Sequence, residues 1–425
     1  MKKCISIVLK TAVIFCSIAT DLYGYNFANV AKQVLHRFET QQIRSNFGNE
    51  LYAEIEHATN NFTNNLTFEE LKRKNVNPIY LDYMTTEIAA TNKNSYMLVI
   101  WPVTVEKDEL INQILNKYCN VISYKRILMN QQAARNFLNQ IPEKATHSTG
   151  VELWFALPYR NYNPMRVYLI ECKPNDTNLE IIRNYLTGIF SNNRKHIKDF
   201  EQTHGTRALQ NLYTTTICKR EIRKAVHIDH ALHICDTTEE TLELAQMLFN
   251  ENSIKCLKFS NPQQVKTLSK FNTYTPMLKQ KLGQSIDQLV VYNSAVLSAF
   301  GLRDCNDIDF LHDPRMAVQH NLHPQLSNQN QFFKRLYVIL EDLDNHTYIL
   351  EDCPQAFSNL NLDECSSFRK KISIDELLYN PKYYFYFHKV KYATLEFMHY
   401  FKKSRGRVKD LRDVKLMEEH FANRY

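Results

Sequence analysis

"SAVLSAFGLRDCNDIDFLHD", residues 294–313, carries two carboxylates, Asp307 and Asp309, at alternating positions of an apolar strand pattern. Alternate strand residues share a face, so both acids point the same way, about 7 Å apart along the chain. Like charges this close repel unless something cationic sits between them. The pattern therefore predicts a divalent metal, Mg²⁺ or Mn²⁺, held at the end of a hydrophobic strand. Such ions bridge phosphate oxygens and neutralise charge as a phosphorus–oxygen bond breaks, which is the chemistry of phosphoryl or nucleotidyl transfer.

The rest of the chain bounds what can surround that strand. Its 425 residues are 44% hydrophobic and 12% aromatic, ample for two or three packed cores and too apolar for disorder. With 8 glycines and neither GxGxxG nor GxxxxGK[ST], a Rossmann dinucleotide site and a P-loop are excluded as expectations. A formal charge of +7 suits an anionic or phosphorylated partner. Residues 1–24 read as a secretory signal: Met1-Lys2-Lys3, the apolar run "CISIVLKTAVIFCSIA", and a small-residue cleavage site at Ser17-Ile18-Ala19 or Leu22-Tyr23-Gly24. The expected destination is secreted or periplasmic, or another cell into which the protein is delivered. Lys10 interrupts the apolar run, and no stable membrane insertion is expected after cleavage. Eight cysteines lie beyond the signal with no CxxC pairing; Cys353 with Cys365 is a candidate disulfide, and buried free thiols are the alternative. Asn61, Asn65, Asn175 and Asn345 head Asn-x-Ser/Thr sequons.

Periodicity divides the remainder. Residues 25–92 read as a polar helical lead-in. From Ser95 a buried strand, "SYMLVIWPV", precedes an amphipathic helix, "EKDELINQILNKYC", with Ile111, Ile114, Leu115 and Tyr118 on one face. Strands are expected at "NVISYKRILM", "VELWFAL" and "MRVYLIEC". Helices are expected at "NQQAARNFLNQI", "TNLEIIRNYLTGIF" and "DTTEETLELAQMLFN", the last capped by Asp236 or Thr237. This order implies a sheet with helices on one face. Polar composition and Pro262 mark a boundary, giving an α/β (α+β) domain over 93–256 and a second over 257–425. The second ends in a strand pair, "YYFYFHKVKYA", and one or two basic helices, with a further strand at "KRLYVILED".

The opening stretch resembles the polymerase-β-like nucleotidyltransferase superfamily, whose signature is a small-residue turn followed by an hDhDh strand. Here the turn is Asn293-Ser294 and the strand Asn306-Asp307-Ile308-Asp309-Phe310-Leu311. A second block, "KVKYATLEFMHYFKKSRGRVKDLRDVKLM", carries the Lys-x(n)-Arg-x-x-x-Lys-Asp-x-x-Asp pattern many small members place after their catalytic strands. The resemblance implies a small mixed-sheet domain in which Asp307 and Asp309 are catalytic and bind metal. It also implies that Ser294 holds the triphosphate turn and that Lys402 or Lys403, Arg405 and Lys409 face phosphate. Asp410 and Asp413, at i and i+3, would orient those cations. Asn293 stands where the family usually has Gly. The third carboxylate has four candidates, Asp342, Asp344, Asp352 and Asp375.

The 93–256 region resembles nucleoside diphosphate kinases, which implies a ferredoxin-like domain. The likeness rests on "VIWP" at the first strand end and on His233-Ile234-Cys235-Asp236 before an acidic helix, with Arg220 thirteen residues upstream of the histidine. Trp101 stands where that family has its catalytic Lys, and Ile234 where it has Gly, so the reading is a kinase-like fold repurposed for binding or scaffolding. His227, His230 and His233, with Cys235 or Asp236, would bind Zn²⁺ if helical, but a three-residue step drifts around an α-helix. The plainer reading is partly buried histidines beside a helix cap. Three functional classes follow: transfer from a nucleoside triphosphate or other phosphorylated donor to a glycan, protein or nucleic-acid end; a secreted binding or host-interaction protein on a degenerate transferase scaffold; and a nucleic-acid-binding module using the basic helix.

Overall fold

A computed structural model describes residues 77–141, 164–190, 194–229, 231–266, 271, 283–305, 308–312, 340–341, 347–348, 350–351 and 374–424. The expected signal segment, the "VELWFAL" strand, Asp307, and the Cys353/Cys365 pair lie outside the described residues. The fold is mixed α+β, and its residues group into two compact units. Of the described residues, those up to Met129 together with Ile141–Ala245 form the first. Asn130–Gln140 and Gln246 onward form the second.

The first unit is built on four strands, β1 (Ser95–Ile100), β2 (Cys119–Ile127), β3 (Met165–Cys172) and β4 (Leu232–Ile234), in the order β2-β3-β1-β4. Every neighbouring pair is antiparallel. Helix α1 (Pro78–Thr91) precedes the sheet and α2 (Asp108–Tyr118) links β1 to β2; α3 (Gln131–Leu138), which follows β2 in the chain, belongs to the second unit. Helices α4 (Leu179–Ile189), α5 (Arg194–His204) and α6 (Thr206–Val226) link β3 to β4. On one face Tyr96, Leu98 and Ile100 of β1 pack with Ile111 and Leu115 of α2 and with Cys218, Ile222 and Val226 of α6. The opposite face is covered as well: Thr85 of α1 donates to the Ser123 hydroxyl (3.1 Å), and Lys125 pairs with Asp82. Helices on one face was the expectation. The structure differs because β1 is buried at every position and apolar from Tyr96 to Ile100, so both its faces are covered.

The second unit holds a five-stranded sheet in the order β10-β11-β5-β6-β9, built from β5 (Leu289–Tyr292), β6 (Asp309–His312), β9 (Leu350–Glu351), β10 (Tyr384–Phe387) and β11 (Val390–Ala393). A two-residue pair, β7 (Leu340–Glu341) with β8 (Thr347–Tyr348), stands apart from it. β5 runs parallel to β11 and antiparallel to β6, the mixed sheet expected for this region. His388 and Lys389 both have positive φ, the geometry that closes a two-residue hairpin between β10 and β11. The "YYFYF" run is a buried strand, and Phe385, Phe387, Tyr392 and Phe271 form its aromatic core.

Around that sheet lie α8 (Glu251–Phe259), α9 (Ser294–Ala299), α10 (Ile374–Tyr379), α11 (Leu395–Arg405) and α12 (Val408–Ala422), while α7 (Thr238–Leu248) follows β4, its residues up to Ala245 in the first unit. α3 packs on α8 through buried Asn136, whose amide donates to the Leu257 and Ser260 carbonyls (2.9 and 2.8 Å). After α9 the chain turns at Gly301 (φ 76°). A Cβ there would lie 2.0 Å from the Asn261 carbonyl oxygen, so only glycine lets the two segments meet.

Candidate functional site

The site grows from one tight turn. β5 is four buried apolar residues, and α9 begins two residues after its end, so the chain must reverse within Asn293. That residue adopts φ 65°, ψ −134°, a region glycine occupies freely and other residues only under strain. Its side chain is what holds it there. The amide nitrogen donates to Asp309 Oδ2 (2.8 Å), and the amide oxygen accepts from Lys402 Nζ (2.8 Å) and from the Arg405 guanidinium (3.3 Å). Asn293 is therefore a bridge between an acid on the neighbouring strand and cations on α11. Asp309 lies opposite Tyr292 in the β5–β6 ladder and is buried.

The cations are themselves enclosed. Arg405 makes a bidentate contact to Asp410 (2.8 and 2.6 Å), and Arg407 donates to the same carboxylate (2.6 Å). Lys402 bridges Asp413 (2.8 Å) and Asp410 (3.5 Å), while Arg303 forks onto Asp413 (2.6 and 2.8 Å). Asp410 is fully buried, and burial pushes its carboxyl up. The hydrogen bonds from Arg405 and Arg407 outweigh that and hold it below the ordinary carboxylate range. Asp413 is likewise raised by burial and lowered further by Arg303 and Lys402. Burial pulls the Lys402 ammonium down, against the contrary pull of Asp413.

The structure thus brings Asp309, Arg405 and Asp410 together around Asn293, with Ser294 the next residue and the first of α9. Lys409 is exposed on α12, and the buried cation at the turn is Lys402. Asp307, Asp342, Asp344 and Asp352 lie outside the described residues, as does the side chain of Asp375. Arg303 and Arg407 are additions that sequence reasoning missed. Arg407 had a signal in its i, i+3 spacing to Asp410; Arg303 sits 110 positions from its partner and had none.

The first unit offers a second polar cluster where β4 runs into α7. His233 Nε2 lies 2.9 Å from Glu240 Oε1, whose other oxygen accepts the Asp236 amide (2.9 Å), and Thr237 accepts the Glu240 amide (3.2 Å). Thr237 is thus the cap, with half-buried His233 beside it. His233, Cys235 and Glu240 have ligand atoms within 4.8 Å of one another, a donor set chemically suited to Zn²⁺. Both Glu240 oxygens are already engaged, and the fully buried Cys235 thiol is pushed well up by burial. His227 caps α6 in a left-handed conformation and His233 lies on a strand, so those two do not share a helix. Arg220 donates to the Tyr185 hydroxyl (3.0 Å), and the cation beside Asp236 is Lys219 (3.5 Å).

Among the described residues no helix is long and apolar enough to cross a membrane. No known protein family, curated protein or solved structure matches the chain.

Proposed function

We propose that the second unit is a nucleotidyltransferase-like domain that transfers a nucleotidyl or phosphoryl group from a phosphorylated donor to an unidentified acceptor. The observation carrying this reading is the turn. A buried strand reverses at Asn293 into a Ser294-led helix, and the next strand, antiparallel and adjacent, presents Asp309 to that turn. Asp309 with Asp307, two residues earlier, would hold Mg²⁺ or Mn²⁺; carboxylate oxygens are the hard donors these ions take. The ion, when bound, neutralises charge on the transferred group. Asn293 fixes the orientation of Asp309, and Lys402 with Arg405 holds the other end of the same amide. The first unit is then read as a ferredoxin-like domain, which its strand order and antiparallel pairing support. It lacks the kinase lysine, with Trp101 in its place, and serves binding or scaffolding.

The test is to incubate the full chain with Mg²⁺ or Mn²⁺ and α- or γ-labelled nucleoside triphosphates, beside Asp309→Ala and Asp307→Ala. Label transfer or pyrophosphate release by the wild type, lost in both variants, is the expected result. Turnover surviving both changes, or metal-dependent nucleotide binding absent from the wild type, overturns it.

One observation favours a second reading, a binding protein on a degenerate scaffold. Arg405 and Lys402 are already neutralised by Asp410 and Asp413, so less positive charge is left for a phosphate. Nucleotide binding without turnover in the same assay would select this reading.

A further inference from the structure

Three thiols meet at one end of the first sheet. Cys119 opens β2 and Cys172 closes β3, and the two are direct partners in the ladder. The Cys172 amide donates to the Asn94 carbonyl (3.2 Å), ahead of β1, while the bond linking β3's end to β2's start runs from the Lys173 amide to the Tyr118 carbonyl (3.0 Å). Cys119 and Cys172 therefore form a non-hydrogen-bonded rung, the narrow kind, with Cα atoms about 4.5 Å apart and side chains on one face. A disulfide needs Cα atoms roughly 4.4–6.8 Å apart, so this rung meets the requirement without moving the backbone. Cys218 of α6 packs into the same core cluster, and the Cys172 thiol donates to the Asn211 carbonyl (4.0 Å). All three are free and buried.

We propose that Cys119 and Cys172 are a redox site that closes to a disulfide, with Cys218 as the thiol able to exchange into it. The oxidant is a disulfide, either a small one such as oxidised glutathione or that of a thiol oxidase. Cys119 thiolate attacks a donor sulfur, forming a mixed disulfide and releasing one donor thiolate. Cys172 then attacks the Cys119 sulfur and releases the second. Two protein thiols are oxidised, the donor disulfide is reduced to two thiols, and the two protein protons pass to the released thiolates. The neighbouring Cys172 and Cys218 thiols draw the Cys119 thiol down against its burial, which favours its thiolate. The rung lies at the end of the ladder, where fraying, or the interval before the strands close during folding, admits the oxidant.

The experiment uses the full chain, both folded with oxidised glutathione and refolded from denaturant in a glutathione buffer. Each sample is alkylated under denaturing conditions, digested without reduction and analysed by mass spectrometry. The expected product is a Cys119–Cys172 linked peptide that dithiothreitol cleaves, with Cys218 alkylated. In Cys172→Ser the link moves to Cys119–Cys218, and in Cys119→Ser no link forms within the cluster. Cys235 and Cys256, buried outside the cluster, are internal controls. Full alkylation of Cys119 in both samples, or links to Cys235 and Cys256 as frequent as the one to Cys172, would overturn the proposal.

Discussion

Each unit has a strand that runs into a turn and a helix with polar side chains clamped at the junction, yet the two clamps are made differently. At the β4–α7 junction the partners are His233, Asp236, Thr237 and Glu240, all within eight residues. At the β5–α9 junction Asn293 is held by Asp309, Lys402 and Arg405, which are held in turn by Asp410, Asp413, Arg407 and Arg303. A local clamp needs one helix to form and loses little if a member is removed. The long-range clamp buries charges that tolerate no loss of a partner, because each stranded ion keeps its desolvation cost. Clamping of this kind fixes Asn293 and the Asp309 carboxylate it bonds, whereas the first clamp starts a helix.

The sharpest break of this comparison is Asp410→Ala. It removes the carboxylate shared by the part-exposed Arg405 and Arg407 and leaves the buried Lys402 on Asp413 alone, so a loss of about 1.5–3 kcal/mol, that of hydrogen bonds to a charged group, is expected. Hydrogen exchange, read separately on peptides of each unit, should show the second unit opening and the first unchanged. A loss below about 1 kcal/mol would place these ion pairs with ordinary surface bridges and remove the contrast between the clamps.

Acid should separate the units next. Burial lowers His388 and His420, both in the second unit, to about 4. The unfolded chain holds protons on them from its ordinary value of about 6.5 downward, while the folded state refuses them until about 4. Their contribution is therefore present above pH ~6.5 and is lost progressively as pH falls towards their folded values. Asp410 and Asp413 are held low, so their stabilisation persists until pH falls below the ordinary carboxylate value of about 4 and is lost beneath it. Unfolding midpoints of the second unit should drop between pH 7 and 4 before any of these carboxylates titrates. His388→Gln should remove part of that slope, and an unchanged slope would mean that burial of His388 is not its source.

How much of this was legible follows the same division. "SYMLVI" and "MRVYLIEC" announce themselves as strands because their apolar runs are continuous, and Thr237 announces a cap because its signal is local. Helix α6 does not: its buried positions include Asn211, Thr214, Thr215 and Thr216, so its inward face reads as polar. The Asn293 turn and Asp309 were readable from type and spacing. Their connection to α11 and α12 was readable only as a composition of charges, since no periodicity says that Arg303 will meet Asp413. The identity of the buried lysine, Lys402, was open between two neighbours because helical phase near a C-terminus is set by what the last turn packs against.

Asn293 tests whether strain or bonding dominates the long-range clamp. Asn293→Ala and Asn293→Gly both lose the amide bridge, but only alanine keeps a Cβ in the φ 65° conformation. Alanine should therefore be the worse by about 1–3 kcal/mol. Equal losses in urea denaturation would mean the turn relaxes, and with it the positioning of Asp309.

The smallest effect belongs to the local clamp. Thr237→Ala removes the acceptor for the Glu240 amide, and a cost of about 1 kcal/mol is expected for a lost cap. Glu240 still accepts the Asp236 amide and still faces His233, so two of the three contacts survive the change. Glu240→Ala removes those two and leaves the Thr237 cap in place. If the clamp is a sum of local contacts, the double change should cost about the sum of the singles. A coupling beyond about 0.5 kcal/mol would show that His233, Glu240 and Thr237 act as one unit, and the junction would then have to be read as a built site rather than a helix start.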